Sequence, residues 1–241
     1  HGRMKDMNKG KLYGVGVGPG DPELITLKAM RVILENDAIA VPITKAGQSG
    51  VDSAAYNIAA SAIPEMSCKT VFPILMPMTN DIESIKSKHM DAVVRIKSVL
   101  DRGLNLVFLT LGDPTIYSTI MYLQAIISSD GYDTELVSGV PSFCAAAAKL
   151  GVPLVEWDET LHIVPGAKAK SVDFNQDDNF VIMKLGSHLQ EVKRQFTANK
   201  MCVMAVSNCG MPNETICRNT DDIQDDSGYF TLIVAKKRNN R

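Results

Sequence analysis

Leu12-Tyr13-Gly14-Val15-Gly16-Val17-Gly18-Pro19-Gly20-Asp21-Pro22 is the stretch on which the fold turns. Glycine alternates with Tyr and Val over 12–18, as in a short buried strand running into a loop. Asp21 then makes a good N-cap, and Pro22 at the first helical position loses nothing, because its missing N–H would be unpaired there. The spacing predicts a helix from 22 to about 35. The same punctuation returns at Gly112-Asp113-Pro114, after an apolar run at 104–111. That run does not alternate, as expected of a strand covered on both faces.

Outward from these two turns, strands are predicted at 38–42, 70–75 and 134–137, and helices at 54–62, 82–100, 114–128 and 142–150. The third strand-to-helix step is the clearest: Ile82, Ile85, His89, Val93, Ile96 and Leu100 recur by threes and fours. Strand and helix alternate throughout, which predicts an open, mostly parallel sheet with helices on its faces. After Pro141 the pattern changes. Strands are predicted at 161–164, 180–184, 201–206, 214–217 and 230–235, with one clear helix at 187–197, so this sheet should be mixed. The fold class is therefore α/β, with two α/β domains: 11–141 around a mostly parallel open sheet and 142–241 around a mixed one. His1-Gly2-Arg3 ahead of Met4 reads as a tag remnant, and 1–10 as a disordered leader.

Composition narrows the functions. The chain of 241 residues has 25 Lys and Arg against 27 Asp and Glu, a net charge of −2, and is 45% hydrophobic. That excludes an intrinsically disordered chain and argues against a general nucleic-acid-binding face. No apolar run approaches the roughly 18 to 20 residues of a membrane helix. The five cysteines, at 68, 144, 202, 209 and 217, form no C-x-x-C pair. They imply neither a disulfide framework nor a zinc module, and point to a reducing cytoplasm.

Three turns carry the candidate chemistry. The glycines at 14, 16 and 18 come near a dinucleotide-binding loop but miss it, since the required third glycine falls on Pro19 or Asp21. They make either a tight turn with a capped helix or a loop whose bare backbone approaches a ligand. Leu111-Gly112-Asp113-Pro114-Thr115-Ile116-Tyr117-Ser118 lies at the carboxyl end of a strand predicted to be central, where open α/β sheets bind ligands. Alternatively, Asp113 only caps the next helix. Ser138-Gly139-Val140-Pro141-Ser142-Phe143 precedes an alanine run. It serves close helix packing or offers backbone N–H groups and Ser142 to a ligand. His162 reads as packed or exposed rather than catalytic, and His89 and His188 have no partner pattern. Glu156-Trp157-Asp158-Glu159 reads as a surface turn with one packed ring, and Asp221-Asp222 with Asp225-Asp226 as a solvated acidic turn. No HExxH or G-x-S-x-G occurs, so no metal site is expected.

In this order and spacing, the three motifs resemble the tetrapyrrole (corrin and porphyrin) methylase family, from Lys11 to Lys237. Residues 12–18, 108–119 and 229–232 are most similar to the branch that methylates the C(20) meso carbon of precorrin-2 or cobalt-factor II in cobalamin biosynthesis. Sister branches methylate other ring carbons, and more distant ones act on diphthamide precursors or ribosomal RNA; a non-catalytic binding module is a further alternative. The resemblance implies S-adenosyl-L-methionine as methyl donor, S-adenosyl-L-homocysteine as product, a homodimer, and a ligand cleft between the two domains. It places Gly112, Asp113, Pro114, Tyr117, Ser142, Phe143, Met183, Ala205, Ser207, Tyr229, Phe230 and Thr231 along the donor. Pro19, Gly20 and Asp21 would lie over the tetrapyrrole, with Asp21 either a proton acceptor or simply a cap. Lys28, Lys45, Lys184 and Arg218 are placed by position as holders of the tetrapyrrole carboxylates. Pro141 stands where relatives often carry Ser or Thr, so contacts at that turn shift to Ser142 and Phe143.

Overall fold

The computed structural model describes residues 9–76, 81–174, 178–185, 188–224 and 228–237. It divides into two compact units after Pro141. In the first, β1 (Leu12–Gly16), β2 (Ala38–Ile43), β3 (Thr70–Leu75), β4 (Leu106–Thr110) and β5 (Thr134–Val137) alternate with α1 (Leu27–Leu34), α2 (Ala54–Ala62), α3 (Ile82–Leu100) and α4 (Ile120–Ser129). The sheet order is β3-β2-β4-β1-β5 and every pairing is parallel.

Both faces of this sheet are covered, which explains its unbroken apolar strands. Ile39, Val41, Val107 and Leu109 share one core with residues of α1 and α2. Their neighbours Ala38, Ala40, Leu106 and Phe108 share another with α3 and α4. The Gly alternation in β1 follows the same period of two. A Cβ at Gly14 would fall 2.8 Å from Ile120 of α4 and 2.8 Å from Leu136, so the bare strand lets α4 pack close.

The second unit holds α5 (Ser142–Leu150), β6 (Leu161–Pro165), β7 (Asn179–Met183), α6 (Leu189–Ala198), β8 (Met201–Ser207), β9 (Thr215–Cys217) and β10 (Thr231–Lys237). The order is β6-β7-β10-β8-β9, with β6 and β7 parallel and the other pairs antiparallel, so this sheet is mixed. α6 buries Leu189, Val192 and Phe196 against one face. There Phe174 meets Phe180 and Phe196 edge-on, at 4.9 and 4.7 Å between centroids.

Several expectations are corrected. The helix predicted from 22 is a 3₁₀ turn, Pro22–Leu24, capped by Asp21. Ile25 is extended, and α1 starts afresh with Thr26 as N-cap, its hydroxyl accepting from Ala29 N. Asp113 does not cap α4, which begins only at Ile120; its carboxylate bonds Thr115 within the turn instead. Trp157 is not packed: it is 96% exposed, because the turn is closed by polar bonds, Glu156 N to the Glu159 carboxylate and Glu159 N to Glu156 O. Lys9 and Gly10, read as the end of a leader, belong to the fold: the Lys9 ammonium lies 4.7 Å from the Tyr132 ring centroid and Gly10 N donates to Leu100 O at 2.8 Å. The rest of that leader (1–8), Asp225, Asp226 and the start of the helix predicted from Ser187 lie outside the described residues.

Candidate active site

The connections from β1 and β4, neighbours in the sheet, leave in opposite directions: β1 leads toward β2 and β4 toward β5. The carboxyl ends of two such strands form the switch point at which open α/β sheets bind ligands. The residues after β1, β4 and β5 meet there. Val17 N donates to Thr110 O at 3.0 Å. Gly18 and Gly112 exchange both backbone bonds, at 3.3 and 2.8 Å, and both have positive φ, +77° and +64°. A Cβ on Gly16 would fall 2.4 Å from Gly112 O, and one on Gly139 would fall 2.1 Å from the same oxygen. Three turns are thus packed backbone to backbone, and only glycine fits.

Side chains then fix these turns. Asp113, 8% exposed, accepts from Thr115 N at 2.8 Å, from the Thr115 hydroxyl, and from Gly139 N at 3.1 Å. Thr110 and Ser118 share a hydroxyl hydrogen bond of 2.8 Å. Thr26, besides capping α1, donates to Ser138 O at 3.3 Å. Tyr117 sits in the left-handed region at φ +48°, its ring half exposed, and desolvation holds its phenol above the usual range. Asp21 accepts from Glu23 N at 2.9 Å. Pro19 and Gly20 lie buried in the same loop, and Pro114 in the β4 turn. The sequence puts Gly16, Thr115, Ser118 and Gly139 inside its three candidate turns without giving them individual roles, and it does not single out Thr26 or Thr110. For Thr26 a signal exists, a good N-cap residue opening an amphipathic run.

In the second unit, β7 and β8 end where β10 begins, because β10 runs antiparallel to both. This edge carries Met183, Lys184, Ser207, Thr231, Tyr229 and Phe230. Ser207 and Thr231 are paired in register and share a hydroxyl hydrogen bond of 2.8 Å. Tyr229 and Phe230 stand edge to face at 5.3 Å, each a little over 40% exposed, and the Lys184 ammonium lies 5.9 Å from the Tyr229 centroid. Exposed ring faces beside hydroxyls and strand-end backbone fit a purine nucleoside. Ala205 is different: it is buried in the core under α6, so only its backbone is available to a ligand. Ser142 and Phe143 open α5, Ser142 half-buried and Phe143 buried.

The basic residues divide. Lys28 pairs with Glu135 at 2.7 Å, near the amino end of β5 and away from the turns; Lys11 holds the same carboxylate at 2.6 Å. Arg218 donates to Leu150 O at the end of α5, a helix C-terminal contact. Lys28 thus pairs within the first unit outside the three turns, and Arg218 is bound within the second. Lys45 is exposed in the loop after β2, and Lys184 stands at the aromatic edge. His162 is held by Asp178 at 2.7 Å and stacks on Phe180, while His89 stacks on Tyr122 and burial lowers its pKa. Among the described residues no cluster of His, Cys, Asp and Glu is placed to hold a metal, and no helix is long and apolar enough to cross a membrane.

The model of the tetrapyrrole (corrin/porphyrin) methylases matches residues 11–222. A protein of Methanocaldococcus jannaschii named "Probable cobalt-precorrin-2 C(20)-methyltransferase" is 38% identical over 94% of this chain and 96% of its own. The cobalt-precorrin-2 C(20)-methyltransferase of Salmonella typhimurium is 29% identical over 95% and 97%. Among solved structures, the cobalamin biosynthetic enzyme cobalt precorrin-4 methyltransferase superposes with a TM-score of 0.70 at 23% identity, covering 94% of each chain.

Proposed function

The chain belongs to the tetrapyrrole (corrin/porphyrin) methylases, and on that premise we propose that it transfers a methyl group from S-adenosyl-L-methionine to the C(20) meso carbon of a cobalt-bearing acceptor, cobalt-precorrin-2 or cobalt-factor II, in cobalamin biosynthesis. The observation that carries this reading is the 38% identity, over nearly the whole of both chains, to the M. jannaschii protein of that name. The donor supplies an already activated methyl on its sulfonium, so the protein's task is alignment: carbon, methyl and sulfur must be nearly collinear at attack distance.

Residues of this chain fit that task. The turns holding Gly112, Asp113, Pro114 and Tyr117 present bare backbone to the donor, with Ser142 and Phe143 following the β5 turn. Met183, Ser207, Tyr229, Phe230 and Thr231, with the Ala205 backbone, take the adenosyl moiety. Pro19, Gly20 and Asp21 lie over the tetrapyrrole. After transfer the meso carbon must lose a proton, and Asp21 accepts it while its other oxygen keeps the cap. Lys184 and Lys45 hold acceptor carboxylates. The enzyme works as a homodimer in the cytoplasm.

The test is anaerobic incubation with S-adenosyl-L-methionine and either cobalt-loaded or metal-free precorrin-2. One added methyl by mass on the cobalt form, located at C(20) by ¹³C NMR, is expected. No gain on either acceptor overturns the assignment, and gain on the metal-free form alone overturns the cobalt preference. Light scattering should give twice the monomer mass.

A further inference from the structure

We infer that Asp113 is a positioning residue: its carboxylate touches no substrate and instead pins the Gly139 turn against the turn after β4, setting the shape of the donor site. This rests on the reading of these turns as the methyl-donor site.

The geometry is specific. The carboxylate is 8% exposed, and both its oxygens are engaged by the protein, one by the Thr115 amide and hydroxyl and the other by Gly139 N. The bond to Gly139 spans 26 residues of chain and is a side-chain link between the β4 and β5 turns. Gly139 needs such a link. Its Cα is wedged so close to Gly112 O and Gly16 that no side chain fits, and close-packed backbone passes on small shifts rather than absorbing them. A carboxylate is required because it accepts on both oxygens. A carboxamide in its place would turn an N–H toward either Gly139 or Thr115 and leave one pin broken.

The experiment compares wild type with Asp113→Asn, read by S-adenosyl-L-homocysteine calorimetry, by KM for donor and for tetrapyrrole, by thermal denaturation, and by amide exchange at Gly139 and Val140. We expect about tenfold weaker S-adenosyl-L-homocysteine binding and a matching rise in donor KM. The tetrapyrrole KM should stay near wild type, the melting temperature should fall by only a few degrees for the one buried hydrogen bond lost, and Gly139 exchange should accelerate. A purely structural role would weaken both ligands together, which overturns the proposal, as does unchanged donor binding. Wild-type exchange needs no variant: Gly139 should exchange well below its unprotected rate, and free exchange there overturns the pin. If wild type binds no S-adenosyl-L-homocysteine, the functional reading fails, while the exchange data still decide whether Asp113 holds Gly139.

Discussion

Gly139 and Gly131 separate two reasons for a glycine. At Gly131 φ is +88° and a Cβ would meet nothing within 4 Å, so alanine there suffers only the left-handed backbone penalty, about 1 kcal/mol. At Gly139 the Cβ would meet a carbonyl oxygen at 2.1 Å, and backbone cannot step aside as a side chain can. Gly139→Ala should therefore destabilise by about 3 kcal/mol in urea unfolding, and S-adenosyl-L-homocysteine binding should be lost. Equal costs at the two positions would show that the turns are not packed as described. At the same scale, Glu135 tests the electrostatics. Hydrogen bonds from Lys11 and then Lys28 hold its carboxyl down at about 2, against 4.5 for an ordinary glutamate. A depressed folded pKa means the contribution is complete above about 4.5 and is lost as pH falls toward about 2. Glu135→Gln should flatten the wild-type stability profile in that window and be parallel to it above; parallel curves throughout would remove the lysine clamp.

Elements show where sequence is legible. The strands at 70–75 and 134–137 and the helices at 54–62, 82–100 and 142–150 stand where they are predicted, the 82–100 helix from its hydrophobic period. Period is a property of many residues and survives local exceptions. The two Gly-Asp-Pro turns mislead because capping residues are ambiguous. An Asp before Pro closes a 3₁₀ turn or an Asx turn as readily as it starts an α-helix, and only the following residues decide. Ile25 ends the first turn, and Thr26 restarts the chain as α1. The contacts that assemble the site are invisible for another reason: Asp113 to Gly139, and Thr26 to Ser138, join residues far apart in sequence. Thr26→Val should thus lose a cap, costing about 1 kcal/mol, and should also weaken donor binding through Ser138. Asp21→Ala, capping only a three-residue turn, should cost less than half of that. Denaturant curves for the two variants, with donor affinity alongside, check the order; a costlier Asp21→Ala would mean the helix does start at 22.

At the scale of the whole molecule, charge sets the terms of acceptor binding. A chain of net charge −2 exerts no long-range pull on a polycarboxylate, so attraction must come from a few local cations. Of the four basic residues assigned by position, Lys28 is engaged by Glu135 and Arg218 by Leu150 O. The acceptor reading proposed above names Lys45, exposed in the loop after β2, and Lys184, exposed beside Tyr229. Attraction through few exposed charges is screened once the Debye length shrinks to the size of the contact, from about 14 Å at 0.05 M to about 4 Å at 0.5 M salt. Across that range tetrapyrrole affinity should fall severalfold, while S-adenosyl-L-homocysteine, which carries no net charge, should change less than about twofold. Lys184→Ala should flatten the salt dependence for the tetrapyrrole, and Lys28→Ala should leave it unchanged because its ammonium already faces Glu135. Calorimetric titrations of both ligands over the series decide it. Equal salt sensitivity of the two ligands would exclude a basic acceptor site, and a flattened slope in Lys28→Ala would mean that this lysine leaves Glu135 when the acceptor binds.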